Sequence, residues 1–275
     1  MTTVHFEPLS AIGAEVVGVR KDALLEDGQL PAAIMNALED EGVLVFRGLH
    51  LDDDTQVAFC RRLGDIVERA GPKPGIEIIS LDPARSASAA YLRGTFDWHV
   101  DGATQNVPPN RATMLTAHVV AEEGGETEFA SSYAAYDELS VEEKERFASL
   151  RVLHSVGATL LQSNPDATAE LRAEWIKMLR TEHPLVWTHR SGRKSLLLGA
   201  TALSVVGMEF EEGRRFLRTL LDRSTTARQV YRHEWTVGDT VLWDNCGVLH
   251  RALPYDEKSP RDMHRTVLVG DELIQ

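Results

Sequence analysis

At 275 residues, with 43% hydrophobic and 26% charged side chains, the chain has the make-up of a soluble globular protein with a sizeable core. A formal net charge of -13 without any Lys/Arg-rich run argues against nucleic-acid partners, because such a surface repels phosphate backbones. Cys60 and Cys246 make no disulfide framework, the N-terminus has no basic stretch followed by an apolar run, and no segment is long and apolar enough to cross a bilayer. The expected setting is the reducing cytoplasm, away from membranes.

In chain order, no repeat, low-complexity tract or linker interrupts the sequence, which reads as one domain over residues 1–275. Residues 30–39 have helical periodicity, with Ile34, Met35 and Leu38 on one side. Residues 42–46 form a short apolar run ended by Arg47-Gly48 and predict a strand. Asp52, Asp53, Asp54 and Thr55 offer capping side chains to a helix over 57–63. Residues 71–94 are rich in Gly, Pro, Ser and Ala without a clear period, and are expected to form a long, partly mobile loop of the kind that serves as a lid. Strand character follows over 111–120, and helices over 141–150 and 166–179. Two paired strands, 184–189 and 195–198, flank Ser191-Gly192-Arg193, and 209–221 is an amphipathic helix. Strands over 229–235, 240–243 and 266–270 complete the chain, with Gly238-Asp239 as the turn between the first two. A strand-rich C-terminal half with helical insertions predicts a mainly β fold, a jelly roll or double-stranded β-helix.

The chemistry is concentrated in Phe96-Asp97-Trp98-His99-Val100-Asp101. On an extended strand, residues i and i+2 share a face, so His99 and Asp101 could reach one metal ion together. A second histidine from a distant strand would complete a two-histidine, one-carboxylate face. The positions opposite stay open, as an iron(II) oxygenase requires. The pair by itself has little specificity, since His50-Leu51-Asp52 repeats it. That second instance opens an acidic helix start, where Asp52 to Asp54 serve as caps, and His5-Phe6-Glu7 is read in the same structural way.

Further on, Trp235-Thr236-Val237-Gly238-Asp239-Thr240-Val241-Leu242-Trp243-Asp244-Asn245 runs toward His250-Arg251-Ala252. With Gly124-Gly125-Glu126-Thr127-Glu128-Phe129 and Arg261-Asp262-Met263-His264-Arg265, this resembles the taurine dioxygenase and 2,4-dichlorophenoxyacetate dioxygenase family of iron(II)- and 2-oxoglutarate-dependent enzymes. The segments come in the family's order and spacing from the 42–48 strand to the C-terminus. The phenoxyacetate branch is nearest, through Trp243-Asp244-Asn245, His250-Arg251 and Tyr255-Asp256.

The resemblance implies that His99, Asp101 and His250 bind the metal, that Arg261 pairs with the far carboxylate of 2-oxoglutarate beside the Thr127 hydroxyl, and that Arg265 meets an acidic group of the substrate. A planar guanidinium suits a carboxylate because it can pair bidentately. Arg261 and Arg265 are separated by an even number of strand positions and should share a face, where two buried cations need two anions. The cosubstrates implied are 2-oxoglutarate and O2, with Fe(II) as cofactor. The reaction implied is decarboxylation to succinate and CO2 coupled to hydroxylation of a small organic acid, such as an aryloxyalkanoate or a sulfonate, and in some cases its cleavage.

Desaturation, cyclisation or epimerisation on the same site stays open, as does homo-oligomerisation. A non-catalytic cupin-like metal module is disfavoured, because it need not keep both Thr127 and Arg261. One departure is Cys246, where the family often has a basic residue. Arg251, beside His250, is expected in a structural ion pair, and Trp98, Trp235 and Trp243 are expected as core aromatics. His118, His154, His183, His189 and His264 show no ligand spacing.

Overall fold

The computed structural model describes residues 4–68, 73–86 and 89–275, with backbone alone at Ala90 and Tyr91. Its largest sheet has seven strands in the order His5–Pro8, Ala14–Val17, Val43–Phe46, Thr240–Asp244, Ala112–Val119, Asp262–Leu268 and Glu77–Ile79. A three-stranded sheet, Val230–His233, Thr127–Ser131 and Val248–Ala252, carries the other half of the barrel. Apolar side chains from both sheets meet between them. Val43, Val45, Leu115, Val241 and Met263 come from the large sheet, and Phe129, Tyr231 and Val248 from the small one. This is the expected jelly roll.

The large sheet is covered on its other face too. Strand residues alternate between faces, so Leu44, Phe46, Met114 and Leu242 point outward against Ile34 and Leu38 of helix Leu30–Glu41 and Phe59 and Cys60 of helix Asp53–Leu63. Burial on both faces explains why Val43–Phe46 reads as a continuous apolar run rather than an alternating one. Asp52 caps the second helix, its carboxylate accepting from the Thr55 backbone N–H at 2.9 Å, and it also pairs with Lys21. The His50-Leu51-Asp52 element is thus a helix start, as expected.

Several boundaries differ from the sequence expectations. The strand expected over 266–270 runs Asp262–Leu268, and the helix expected over 141–150 ends at Phe147, ahead of a strand at Arg151–His154. The helix of 166–179 is shorter, Ala169–Ile176, with Thr168 as its cap. Lys194–Leu196 does pair with Val186–Thr188. The larger correction concerns 71–94. Residues 71, 72, 87 and 88 lie outside the described residues, but the rest is not a structureless loop. Glu77–Ile79 is a strand paired with Asp262–Leu268, and Ala89–Leu92 and Arg93–Phe96 are short helical turns. Three-residue strands take their conformation from the neighbour they pair with, so no local period announces them.

The Gly238-Asp239 turn holds more than a change of direction. The Asp239 carboxylate is 1% exposed and accepts from the Gly48 N–H at 2.9 Å, the Thr236 N–H at 3.1 Å and Arg47 Nη1 at 2.9 Å, with His233 Nε2 3.3 Å away. Burial alone would raise its pKa, yet His233 and the two backbone donors outweigh it and hold the carboxyl at about 2. A carboxyl depressed in the folded state stabilises above its unfolded pKa, and the contribution is lost as the pH falls through the folded value. Asp239→Asn is expected to lose about 1–3 kcal/mol in urea denaturation at pH 7. It should also flatten the loss of stability between pH 4 and 2. Equal slopes for both proteins over that range would contradict this account.

Candidate active site

His99 is held not by a regular strand, as expected, but by an isolated antiparallel bridge to His250. The His99 N–H donates to the His250 carbonyl and the reverse bond is also made, each at 3.0 Å. Asp101 follows in a turn, at partial exposure. Gly199 makes room for this bridge: its φ is +117°, and a Cβ there would lie 2.8 Å from the Trp98 carbonyl oxygen and 2.9 Å from the His99 Cα. The two imidazole centroids are 4.2 Å apart, and His99 Nε2 lies 4.0 Å from Asp101 Oδ1. One ligand atom from each of His99, Asp101 and His250 lies within 4.8 Å of the other two. The fold therefore brings together all three residues expected to hold a metal.

The hydrogen bonds also decide which nitrogens are free for an ion. His99 Nδ1 is 2.9 Å from the Asp97 carbonyl and His250 Nδ1 is 3.5 Å from that of Val248. A carbonyl only accepts, so each Nδ1 carries the proton and each Nε2 presents its lone pair. The Asp97 carboxylate is itself fixed by Gln162 at 2.9 Å and Ser163 at 3.0 Å. Burial first, and His99 second, push His250 down to about 3, so it is neutral at physiological pH, the form that binds a metal.

His99, His250, Thr127, Arg261 and Arg265 line one cavity, with Leu92, Phe96 and Ile79 among its apolar walls. Arg261 is 3% exposed. Its Nη2 donates to the Gly125 carbonyl at 3.2 Å, and its guanidinium stacks over Tyr255 at 4.8 Å. Among the described residues no carboxylate pairs with it, and burial lowers its pKa. A buried guanidinium in that state asks for an anion. The Thr127 hydroxyl accepts from Trp235 Nε1 at 3.0 Å. Trp235, expected as a plain core aromatic, thus orients a cavity residue, while Trp98 and Trp243 are buried.

Arg265 differs from the expectation. Its Nε and Nη2 both donate to Glu77 Oε2, at 3.2 and 2.7 Å, and its Nη1 lies 3.8 Å from Asp101 Oδ2. Cross-strand register puts Glu77 opposite Arg265. Burial works against this cation, but Asp101 and Glu77 outweigh it and raise its pKa. Arg265 therefore has an anion within the protein, and the argument that it needs one from the substrate does not hold. Nothing in the 71–94 composition signalled Glu77.

Arg251 takes the structural role expected of it, pairing with Glu128 at 2.7 Å and lying over Trp98. The position after Trp243-Asp244-Asn245 is also compensated. Cys246 is buried, with its thiol pKa raised by burial and by Asp244. A basic partner for Asp244 comes instead from Arg111, at 2.9 Å.

A jelly roll with two histidines and a carboxylate facing one point, beside a buried arginine that has no carboxylate partner among the described residues, is the architecture of a non-haem iron dioxygenase. The comparisons agree. The model of the taurine catabolism dioxygenase TauD, TfdA family matches residues 5–267, and the chain belongs to that family. It is 36% identical over 286 residues to an alpha-ketoglutarate-dependent 2,4-dichlorophenoxyacetate dioxygenase of Cupriavidus pinatubonensis, covering 97% of each chain. It is 30% identical over 272 residues to an alpha-ketoglutarate-dependent sulfate ester dioxygenase of Pseudomonas putida, covering 94% of this chain and 87% of that one. Among solved structures, AAD-2 in complex with Mn(II) and N-oxalylglycine superposes with a TM-score of 0.81 at 30% identity, over 100% of both chains. The protein is accordingly an oxidoreductase, a 2-oxoglutarate-dependent non-haem iron dioxygenase. Among the described residues no helix is long and apolar enough to cross a membrane.

Proposed function

We propose that the protein hydroxylates a small organic acid of the aryloxyalkanoate or sulfate-ester kind, with His99, Asp101 and His250 holding Fe(II) and with Arg261 and Thr127 holding the far carboxylate of 2-oxoglutarate. The observation that carries the cosubstrate assignment is the buried guanidinium of Arg261, without a carboxylate partner among the described residues, in the cavity of the two histidines. Bound iron would supply the oxidising chemistry with O2 as the oxidant, one oxygen atom going to 2-oxoglutarate as it becomes succinate and CO2 and the other to the substrate. The chain's own residues do the positioning. The Asp97 and Val248 carbonyls keep both imidazoles in the tautomer that presents Nε2, Trp235 aims the Thr127 hydroxyl, and Phe96, Leu92 and Ile79 form an apolar wall against water.

The substrate class is supported by the relatives' activities on phenoxyacetates and sulfate esters. Arg265 is the cation available to a substrate anion, which would have to share it with Glu77. Succinate formation across aryloxyalkanoates, alkyl sulfates, sulfonates and neutral analogues of the same shape tests this reading. Turnover is expected with the anions, and Arg265→Ala is expected to raise their KM while leaving that of 2-oxoglutarate unchanged. A neutral substrate turned over equally well by both proteins would make Arg265 structural and the organic-acid reading wrong.

A further inference from the structure

Arg265 faces the cavity, so His264, one position earlier on the same strand, faces the other way. That outer face is packed against helix Asp53–Leu63. Gln56 of the helix donates to the His264 carbonyl and to Thr266 Oγ1, each at 3.0 Å. His118 reaches the same place from the neighbouring strand. The pairing there passes from Asp262↔Val119 to Met263↔Ala117 and skips residue 118. A bulge of this kind re-aims the side chain it releases. The His118 ring stacks on His264 with centroids 3.8 Å apart. Asp53, in the first turn of the helix, is hydrogen-bonded through Oδ1 to His264 Nδ1 at 2.5 Å, a bond whose proton a metal ion would displace. One ligand atom from each of Asp53, His118 and His264 lies within 4.8 Å of the other two.

Two polar atoms of this cluster are buried without a hydrogen-bond partner among the described residues, His118 Nε2 and Asp262 Oδ1. Such atoms are costly to leave unpaired, and each has a use if a cation is present. Asp262 Oδ1 lies 3.6 Å from His264 Nε2, while the other Asp262 oxygen is held by Arg85. A histidine that binds a metal through one nitrogen characteristically donates its other N–H to a carboxylate, which sets its tautomer and raises its basicity. His264 is oriented for that arrangement, with Nδ1 at Asp53 and Nε2 facing Asp262 Oδ1 at 3.6 Å, longer than a hydrogen bond.

We propose that Asp53, His118 Nε2 and His264 Nδ1 form a second metal site, separate from His99, Asp101 and His250, with Asp262 as the outer carboxylate. Two imidazoles and one carboxylate without a thiolate suit zinc, cobalt(II) or nickel. The His264 and Asp53 side chains are 13% and 27% exposed, so the ion is reachable from solvent and can keep water ligands. The ion clips the start of the helix to the two strands that meet beneath it, one of which continues into Arg265.

Cobalt(II) alone is the probe, followed by its visible absorption and by calorimetric stoichiometry. The wild-type protein is expected to take up two equivalents, and His99→Ala/Asp101→Ala one. That remaining equivalent should be lost on adding either His118→Ala or Asp53→Asn, the second a mild change at a partly exposed helix start. Zinc should raise the Tm of His99→Ala/Asp101→Ala but not of the proteins carrying the added substitution. No uptake by His99→Ala/Asp101→Ala, or uptake that survives both added substitutions, overturns the proposal and leaves Asp53, His264 and Asp262 as an ordinary ion-pair network.

Discussion

Alanine at His250 is expected to abolish iron(II) binding at the His99 and Asp101 site and with it succinate formation. His250 is 6% exposed, and its partner bond to His99 is a backbone bond that the substitution leaves in place. The loss should therefore be one of ligation rather than of architecture. Removing an outer partner of a metal ligand typically costs 10–100-fold in affinity or activity, so removing the ligand itself should cost more. His99→Ala and Asp101→Ala should behave alike, since the three ligand atoms converge on one point. The measurement is iron content and succinate yield, with circular dichroism as a check on the fold. Full turnover by a folded His99→Ala protein would remove the assignment of this constellation to iron.

The next largest effect is expected at Arg261. With alanine there, the KM for 2-oxoglutarate should rise by roughly 30- to 5,000-fold, the equivalent of about 2–5 kcal/mol for truncating one partner of a buried charge pair. Part of that cost is the cosubstrate carboxylate left without a partner in a cavity lined mainly by apolar side chains. Thr127→Val should cost less, about 1 kcal/mol, because it removes a single neutral hydroxyl. Trp235 Nε1 would then lose its acceptor as well. Succinate formation against 2-oxoglutarate concentration reads both effects. An unchanged KM in Arg261→Ala would mean that Arg265, the other cation in the cavity, holds the far carboxylate.

Much of this was legible without the structure. Alternation and apolar runs are local properties, so the strands at Val43–Phe46 and Ala112–Val119, the capped helix at Asp53–Leu63 and the jelly-roll class could be read directly. The family was legible for a related reason: Thr127, the Trp235–Asn245 run, His250 and Arg261 keep their order and spacing along the chain, and the family model matches residues 5–267.

What only the tertiary structure decided is who compensates whom. Arg111 reaches Asp244 from 133 positions away, where the local sequence offers only Cys246. Glu77 meets Arg265 across 188 positions, through a three-residue strand too short to carry a period of its own. The bulge that swings His118 onto His264 depends on the register between two strands, and neither strand encodes that register alone. Side-chain periodicity tells which face a residue occupies. The charge that waits on that face is set by non-local pairing, and so the state of each buried arginine was settled only when the strands came together.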